Sequence, residues 1–181
     1  KIIDATIQLH KLVLNKFLPG AIKFMYVWNM RELSSVVRGL TRAEPTTIVD
    51  IQTMIRLWAH ETNRVFCDRM VNMKEDEAFK KLQADIAVKY FNDICNVEEA
   101  VAVEDQIFTT FYGSKDMHYN LIPEAEGLNK ILVEKLDEYN ESFTIMDLVL
   151  FKEAIQHICR ITRVIENPGG NMMLVGVGGS G

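Results

Sequence analysis

Six residues at the end of the chain carry its most pointed chemistry. Met172, Met173, Leu174 and Val175 form an apolar run that feeds into Gly176, Val177, Gly178, Gly179, Ser180 and Gly181. That order reads as a buried strand entering a phosphate-binding loop of the form GxxxxGK followed by Ser or Thr, with Gly176 and Gly181 at its two fixed glycines. Such a loop needs glycine because its backbone takes positive φ and turns several N–H groups onto phosphate oxygens, which a side chain would block. The sequence ends where the lysine is expected, so it reads as a piece of a longer nucleotide-binding protein. The missing initiator Met agrees with that reading.

The other titratable groups do not assemble a second site. His10, His60, His118 and His157 are scattered, with no partner at ligand spacing, so they read as structural histidines. Cys67, Cys95 and Cys159 are odd in number and form no CxxC pair, which argues against a disulfide framework or zinc site and fits a reducing compartment. Glu61 and Arg64 stand at i, i+3 and read as a helix-surface pair. Glu75, Asp76 and Glu77 read as a solvated run, and no nucleophile has a base beside it. Arg31, taken alone, is a solvated arginine next to Glu32. The nine methionines read as adaptable core filler.

Composition bounds the rest. With 181 residues and 48% hydrophobic content, the chain is large enough for one full core and part of a second. A formal net charge of −5 without a basic stripe argues against nucleic acid or an anionic membrane as partner. No segment is apolar enough for a bilayer span, and the start lacks a signal-peptide layout.

The elements that must position these groups are helical. Ile3, Ile7, Leu14 and Phe17 mark a helix over residues 2–17, stopped by Pro19 and Gly20. An aromatic stretch from Phe24 to Trp28 leads into a second helix, from about Asn29 to Gly39. Asp50 caps a third, whose face is Ile51, Met54, Ile55, Trp58, Thr62, Val65, Phe66 and Met70, roughly six turns. A fourth follows the charged run and ends near Phe91. Residues 92–120 read as loop with one extended piece over 107–111. Pro123 starts a fifth helix, carrying Leu128, Leu132 and Leu136 and ending near Tyr139. A sixth spans about 147–166 with Phe151, Ile155, Ile158 and Ile165 buried. The fold class is mainly α: a helical bundle over residues 1–119, then residues 120–181 as linker helices and the opening of an α/β module.

Several separated motifs, in order, resemble the dynein heavy chain, a ring of six AAA+ modules. Residues 24–33, Phe-Met-Tyr-Val-Trp-Asn-Met-Arg-Glu-Leu, are similar to the family's KFHYIFNLRDL. Residues 57–69 resemble LWxHExxRVxxDR. Residues 147–161 and then 170–181 resemble NLVLFxxAxxHICRI and GNxLLVGVGGSGK. Met25 stands for the usual His, Glu32 for Asp, Arg38 for Gln, and Gly169-Gly170 for Arg-Gly; none of these changes removes a group that touches phosphate. The match implies the lid of the third AAA+ module running into the start of the fourth, and the GVGGSG form resembles axonemal heavy chains. Arg31 would then be a sensor-2 arginine pairing with the terminal phosphate, for which a planar, always-charged fork is suited. Leu148 and Val149 would lie against adenine; read without the family they are ordinary core residues. The resemblance further implies Mg·ATP or ADP in the parent protein, microtubules, neighbouring AAA+ modules, and intermediate and light chains as partners. It implies a coiled-coil stalk elsewhere in the parent, a place in the cytoskeleton of a cilium or flagellum, and no ATP turnover by these 181 residues alone. Two other readings stand beside it: a non-catalytic helical interaction module, and a different AAA+ ATPase such as a midasin-like remodeller.

Overall fold

The protein is described by a computed structural model, covering residues 1–101, 107–112, 118–122 and 125–176, with residues 125 and 126 in backbone only. The described chain falls into two compact units, Lys1–Leu121 and Ile122–Gly181.

The first unit is built on a central helix. Asp50 Oδ1 accepts the Thr53 N–H at 2.6 Å and starts α3, Ile51–Val65. Ile55, Leu57, Trp58, Ala59, Thr62 and Val65 are buried along it. Around it stand α1, Ile2–Lys16; α2, Met30–Leu40; α4, Met73–Phe91; and α5, Val97–Val101. α3 packs on α2 and α5, α1 on α4 and α2, and α4 on α5. Trp58 closes the centre: it is fully buried, its Nε1 donates to Thr6 Oγ1 at 2.9 Å, and its ring meets Phe91 edge-on at 5.3 Å. A two-stranded antiparallel ribbon, β1 (Phe108–Thr109) and β2 (Asn120–Leu121), completes the unit in the register Phe108 to Leu121 and Thr109 to Asn120.

Two expectations for this unit change. α3 stops at Val65 and the chain makes a 3-10 turn over Cys67–Arg69, so the six-turn helix is shorter than its apolar spacing suggests. Phe66 and Cys67 are buried from the turn as they would be from a helix, so the spacing reads alike in both. On α1 the buried face is Ala5, Thr6, Leu9, His10 and Val13, while Ile3 and Leu14 are exposed. Large aliphatics on both faces of a helix leave its inward face to be chosen by the neighbours. Sequence periodicity also passed over the short α5 and β2.

The second unit contains α6, Ala125–Ser142, and α7, Lys152–Ile165. Pro123 lies outside the described residues, and α6 runs past Tyr139. α7 begins at Lys152 rather than Asp147, with Phe151 at its N-cap. Upstream of it, Asn140 clamps Met146: the Met146 N–H donates to Asn140 Oδ1 at 2.8 Å and Asn140 Nδ2 donates to Met146 O at 3.1 Å. That pairing mimics a backbone bridge and holds the segment out of helix. Ile155 and Cys159 are buried, Ile158 is half-buried, and Phe151 and Ile165 are exposed, against the expected buried face.

α7 ends in a tight turn. Pro168 and Gly169 occupy its centre, Gly169 at φ 70, and the Gly170 N–H returns to Asn167 O at 2.8 Å, the pattern of a type II turn. Gly170 is also forced, since a Cβ there would lie 1.8 Å from Val164 O. After the turn, Asn171–Gly176 pairs with no strand among the described residues, and Met173, Leu174 and Val175 are exposed. A strand needs a neighbour to hydrogen-bond, and apolar content alone does not supply one.

Candidate nucleotide-sensing site

Arg31 sits at the second position of α2, on a helix start that is held from three sides. Tyr26, buried just ahead of it, accepts the Val71 N–H at 2.9 Å and donates its hydroxyl to Glu75 Oε2 at 2.6 Å. Lys23 Nζ reaches the other Glu75 oxygen. Burial and the Glu75 hydrogen bond push the Tyr26 phenol up to about 12, and the Lys23 and Tyr26 donors hold the Glu75 carboxyl below its ordinary range. Glu75 is thus a structural anchor rather than part of a solvated run, and Asp76 likewise takes up both Lys80 and the Cys67 thiol.

Trp28, also buried, donates its indole N–H to Phe17 O at 2.8 Å and so ties the approach to the end of α1. The Arg69 guanidinium lies over the Trp28 ring, 5.6 Å from its centroid. From there Arg69 Nη1 reaches Glu32 Oε1 at 3.0 Å, while Glu32 Oε2 accepts the Asn29 N–H at 2.7 Å. Glu32 is 6% exposed and uses both carboxylate oxygens: one closes the reciprocal half of a capping box at the start of α2, the other pairs with the arginine of the 3-10 turn.

Arg31 is exposed, and its guanidinium makes no ion pair or hydrogen bond among the described residues. The bland reading gave it Glu32 for a neighbour; Glu32 is instead committed to Asn29 and Arg69. Flanking Arg31 in the chain, Phe24, Val27 and Met30 are exposed apolar residues. The site is therefore a guanidinium fork without a partner among the described residues, on a braced helix end, with exposed apolar residues shortly before it in the chain. An oxyanion such as a phosphate suits it.

The remaining candidates stand as follows. Gly176 is exposed at the end of the described chain, and Val177, Gly178, Gly179, Ser180 and Gly181 lie outside the described residues. Leu148 and Val149 are exposed, Val149 by 79%, so neither is an ordinary core residue of this chain. His10 and His60 are buried, and His118 Nδ1 lies 3.2 Å from Glu44. Among the described residues no cluster of His, Cys, Asp and Glu is fit to hold a metal ion, and no helix is long and apolar enough to cross a membrane. Burial, reinforced by Asp76, pushes the Cys67 thiol up, which keeps it protonated and poorly nucleophilic. Of the two residues expected to pair, Arg64 Nη2 lies 3.2 Å from Asp68, and Glu61 accepts the Tyr119 hydroxyl at 2.6 Å.

Comparison with known families resolves what the bundle is. Residues 2–101 match the AAA+ lid domain, and residues 146–181 match the P-loop containing dynein motor region D4. The chain belongs to the AAA+ lid family and runs into a dynein motor region. It is 48% identical over 181 residues to the ciliary dynein beta chain of Tripneustes gratilla, covering 99% of this chain. It is 43% identical to the flagellar outer arm dynein beta chain of Chlamydomonas reinhardtii and 41% identical to human dynein axonemal heavy chain 17, each match covering 100% of this chain. The chain spans 4% of the length of each of these relatives. A stand-alone helical interaction module is not favoured, because one chain carries a match to an AAA+ lid domain and then a match to a P-loop containing dynein motor region.

Proposed function

We propose that this chain is the lid of one AAA+ module and the connector into the next, in an ATP-driven microtubule motor of the axonemal dynein kind. The observation that carries it is the order of parts in one chain: a lid over residues 2–101, with Arg31 held outward on a braced helix, then a P-loop motor region over residues 146–181. In this reading the lid belongs to the third module and the loop to the fourth. Arg31 pairs with the terminal phosphate of the nucleotide under the lid, and Gly176–Gly181 cradle the phosphates of the following module. Leu148 and Val149, exposed here, cover that module's adenine.

The group such sites take is Mg·ATP, which supplies the phosphoryl chemistry when bound. The residues present fit it in part: an exposed guanidinium at Arg31 without a partner among the described residues, and, in the sequence, the glycine run that starts at Gly176. The motif's lysine and its Mg²⁺-holding hydroxyl are not among these 181 residues. These 181 residues alone accordingly turn over no ATP. In the parent, the lid shifts as a rigid body when its nucleotide gains or loses the terminal phosphate and passes that shift to the next module. The parent works in the axoneme of a cilium or flagellum, on microtubules, beside its other AAA+ modules and its intermediate and light chains.

Nucleotide binding to a longer stretch of the heavy chain, spanning this segment and the module that follows, tests the assignment. Replacing Gly178 and Gly179 by Val is expected to abolish ATP binding by the following module, because each Cβ blocks N–H groups that face phosphate. Binding at the wild-type level would contradict the loop's role.

A further inference from the structure

We propose that Arg69, together with Glu32, is the positioning device for Arg31, and that it sets how well the lid tells a triphosphate from a diphosphate. The inference rests on the reading of Arg31 as the phosphate sensor. It starts from a conflict in the sequence: the residue next to the sensor is an acid. A bare carboxylate one position along the same helix turn would repel a terminal phosphate and draw the Arg31 guanidinium inward. The structure removes both problems with one contact. Glu32 is nearly buried, its Oε2 is taken by the Asn29 N–H, and its Oε1 is taken by Arg69 Nη1 at 3.0 Å. The local charge is neutralised by Arg69, and Arg31 is left exposed with no acid holding it.

Arg69 is itself held. Its guanidinium lies over the Trp28 ring, and Trp28 is fixed by its indole N–H on Phe17 O. Arg69 ends the 3-10 turn that follows α3. The pair therefore ties the first turn of α2, which carries the sensor, to the end of the central helix of the unit. A pull on Arg31 by phosphate is transmitted through the cap and this pair to α3, and a broken pair lets the first turn of α2 yield locally instead.

The experiment uses the full-length heavy chain and reads the ratio of ADP to ATP dissociation constants for the nucleotide under this lid, with unfolding midpoints measured alongside. Arg69→Gln is expected to lower that ratio by about three- to tenfold, inside the roughly two- to thirtyfold span over which residues along a coupling network alter discrimination. The double variant Glu32→Gln with Arg69→Gln, which replaces the ion pair by a neutral amide pair, is expected to recover most of the ratio. Recovery of that kind is not expected of a merely structural arginine. A wild-type ratio in folded Arg69→Gln would overturn the inference, as would a double variant no better than the single. Should Arg69→Gln not fold, the double variant carries the test against Arg69→Lys, which keeps charge but loses the planar stack, and equal wild-type ratios in both overturn it. Arg31→Ala is run beside them: if it leaves the ratio unchanged, the sensor reading itself fails, whereas loss of the ratio in Arg31→Ala alone fails only the role of Arg69.

Discussion

The Glu61 carboxylate occupies the space that a side chain at Gly39 would need: a Cβ built on Gly39 would sit 1.7 Å from Glu61 Oε2 and 2.2 Å from its carboxyl carbon. Glu61 has no exposed surface, and its Oε1 accepts the Tyr119 hydroxyl at 2.6 Å. The carboxylate cannot swing away without leaving that donor. This one approach joins α2, α3 and the residue that leads into β2.

Gly39→Ala follows from it directly. In an open helix the change would stabilise by about 1 kcal/mol. Here the methyl meets a fixed, buried carboxylate, so the substitution is expected to destabilise by about 1–3 kcal/mol instead. Denaturant unfolding of the 181-residue chain checks the sign: a raised midpoint would show that Glu61 moves aside freely.

Tyr119→Phe removes the hydroxyl and with it one donor to a buried carboxylate. The expected cost is about 1–3 kcal/mol. Glu61→Gln in the Tyr119→Phe background, which removes the buried charge as well, is expected to cost less than the two single changes added together. Additive losses in a four-way unfolding cycle would contradict direct coupling.

Trp58→Ala empties the centre of the first unit and takes one donor from the Thr6 hydroxyl, which still donates to Ile2 O. A fully buried indole of this kind is worth about 3–5 kcal/mol. An unfolding midpoint equal to wild type would place Trp58 outside the core.

Acid and alkali are expected to loosen the anchor under Tyr26 in opposite ways. The Glu75 carboxyl is held below its ordinary 4.5 by Lys23 first and Tyr26 second. Its contribution is complete above that ordinary value and is lost as pH falls through the lower folded value. The Tyr26 phenol is raised from 10.0 to about 12, so its contribution is complete below 10.0 and is lost as pH climbs towards about 12. Melting of wild type against Glu75→Gln should therefore differ at neutral pH and converge in strong acid; against Tyr26→Phe, the wild type alone should show a loss of stability that begins above about pH 10. Parallel curves throughout would contradict the anchor.

Much of this arrangement was legible in the sequence, for identifiable reasons. Asp50 ahead of an apolar stripe marks the start of α3, because capping is a local rule. The motif around Arg31 locates a helix start beyond an aromatic stretch. What the sequence hid is what depends on distant partners. Glu75 looks solvated until Lys23 and Tyr26, far earlier in the chain, are folded onto it. Glu61 is buried and takes the Tyr119 hydroxyl from 58 positions away. The start of α7 was misplaced because Asn140, on the preceding helix, clamps Met146. Met172–Val175 reads as strand by composition, yet a strand forms only beside another.

Microtubule gliding by the full-length heavy chain tests most directly the proposed sensing of nucleotide by this lid through Arg31. Arg31 is exposed, so Arg31→Ala should leave the unfolding free energy of the lid within about 0.5 kcal/mol of wild type. Losing a charge-assisted contact to a terminal phosphate removes about 2 kcal/mol or more of the preference between triphosphate and diphosphate. A lid that no longer registers that difference cannot pass it on, so gliding should be slowed or stalled at unchanged stability. Wild-type gliding velocity by a folded Arg31→Ala motor would contradict the claim and return Arg31 to a solvated surface arginine.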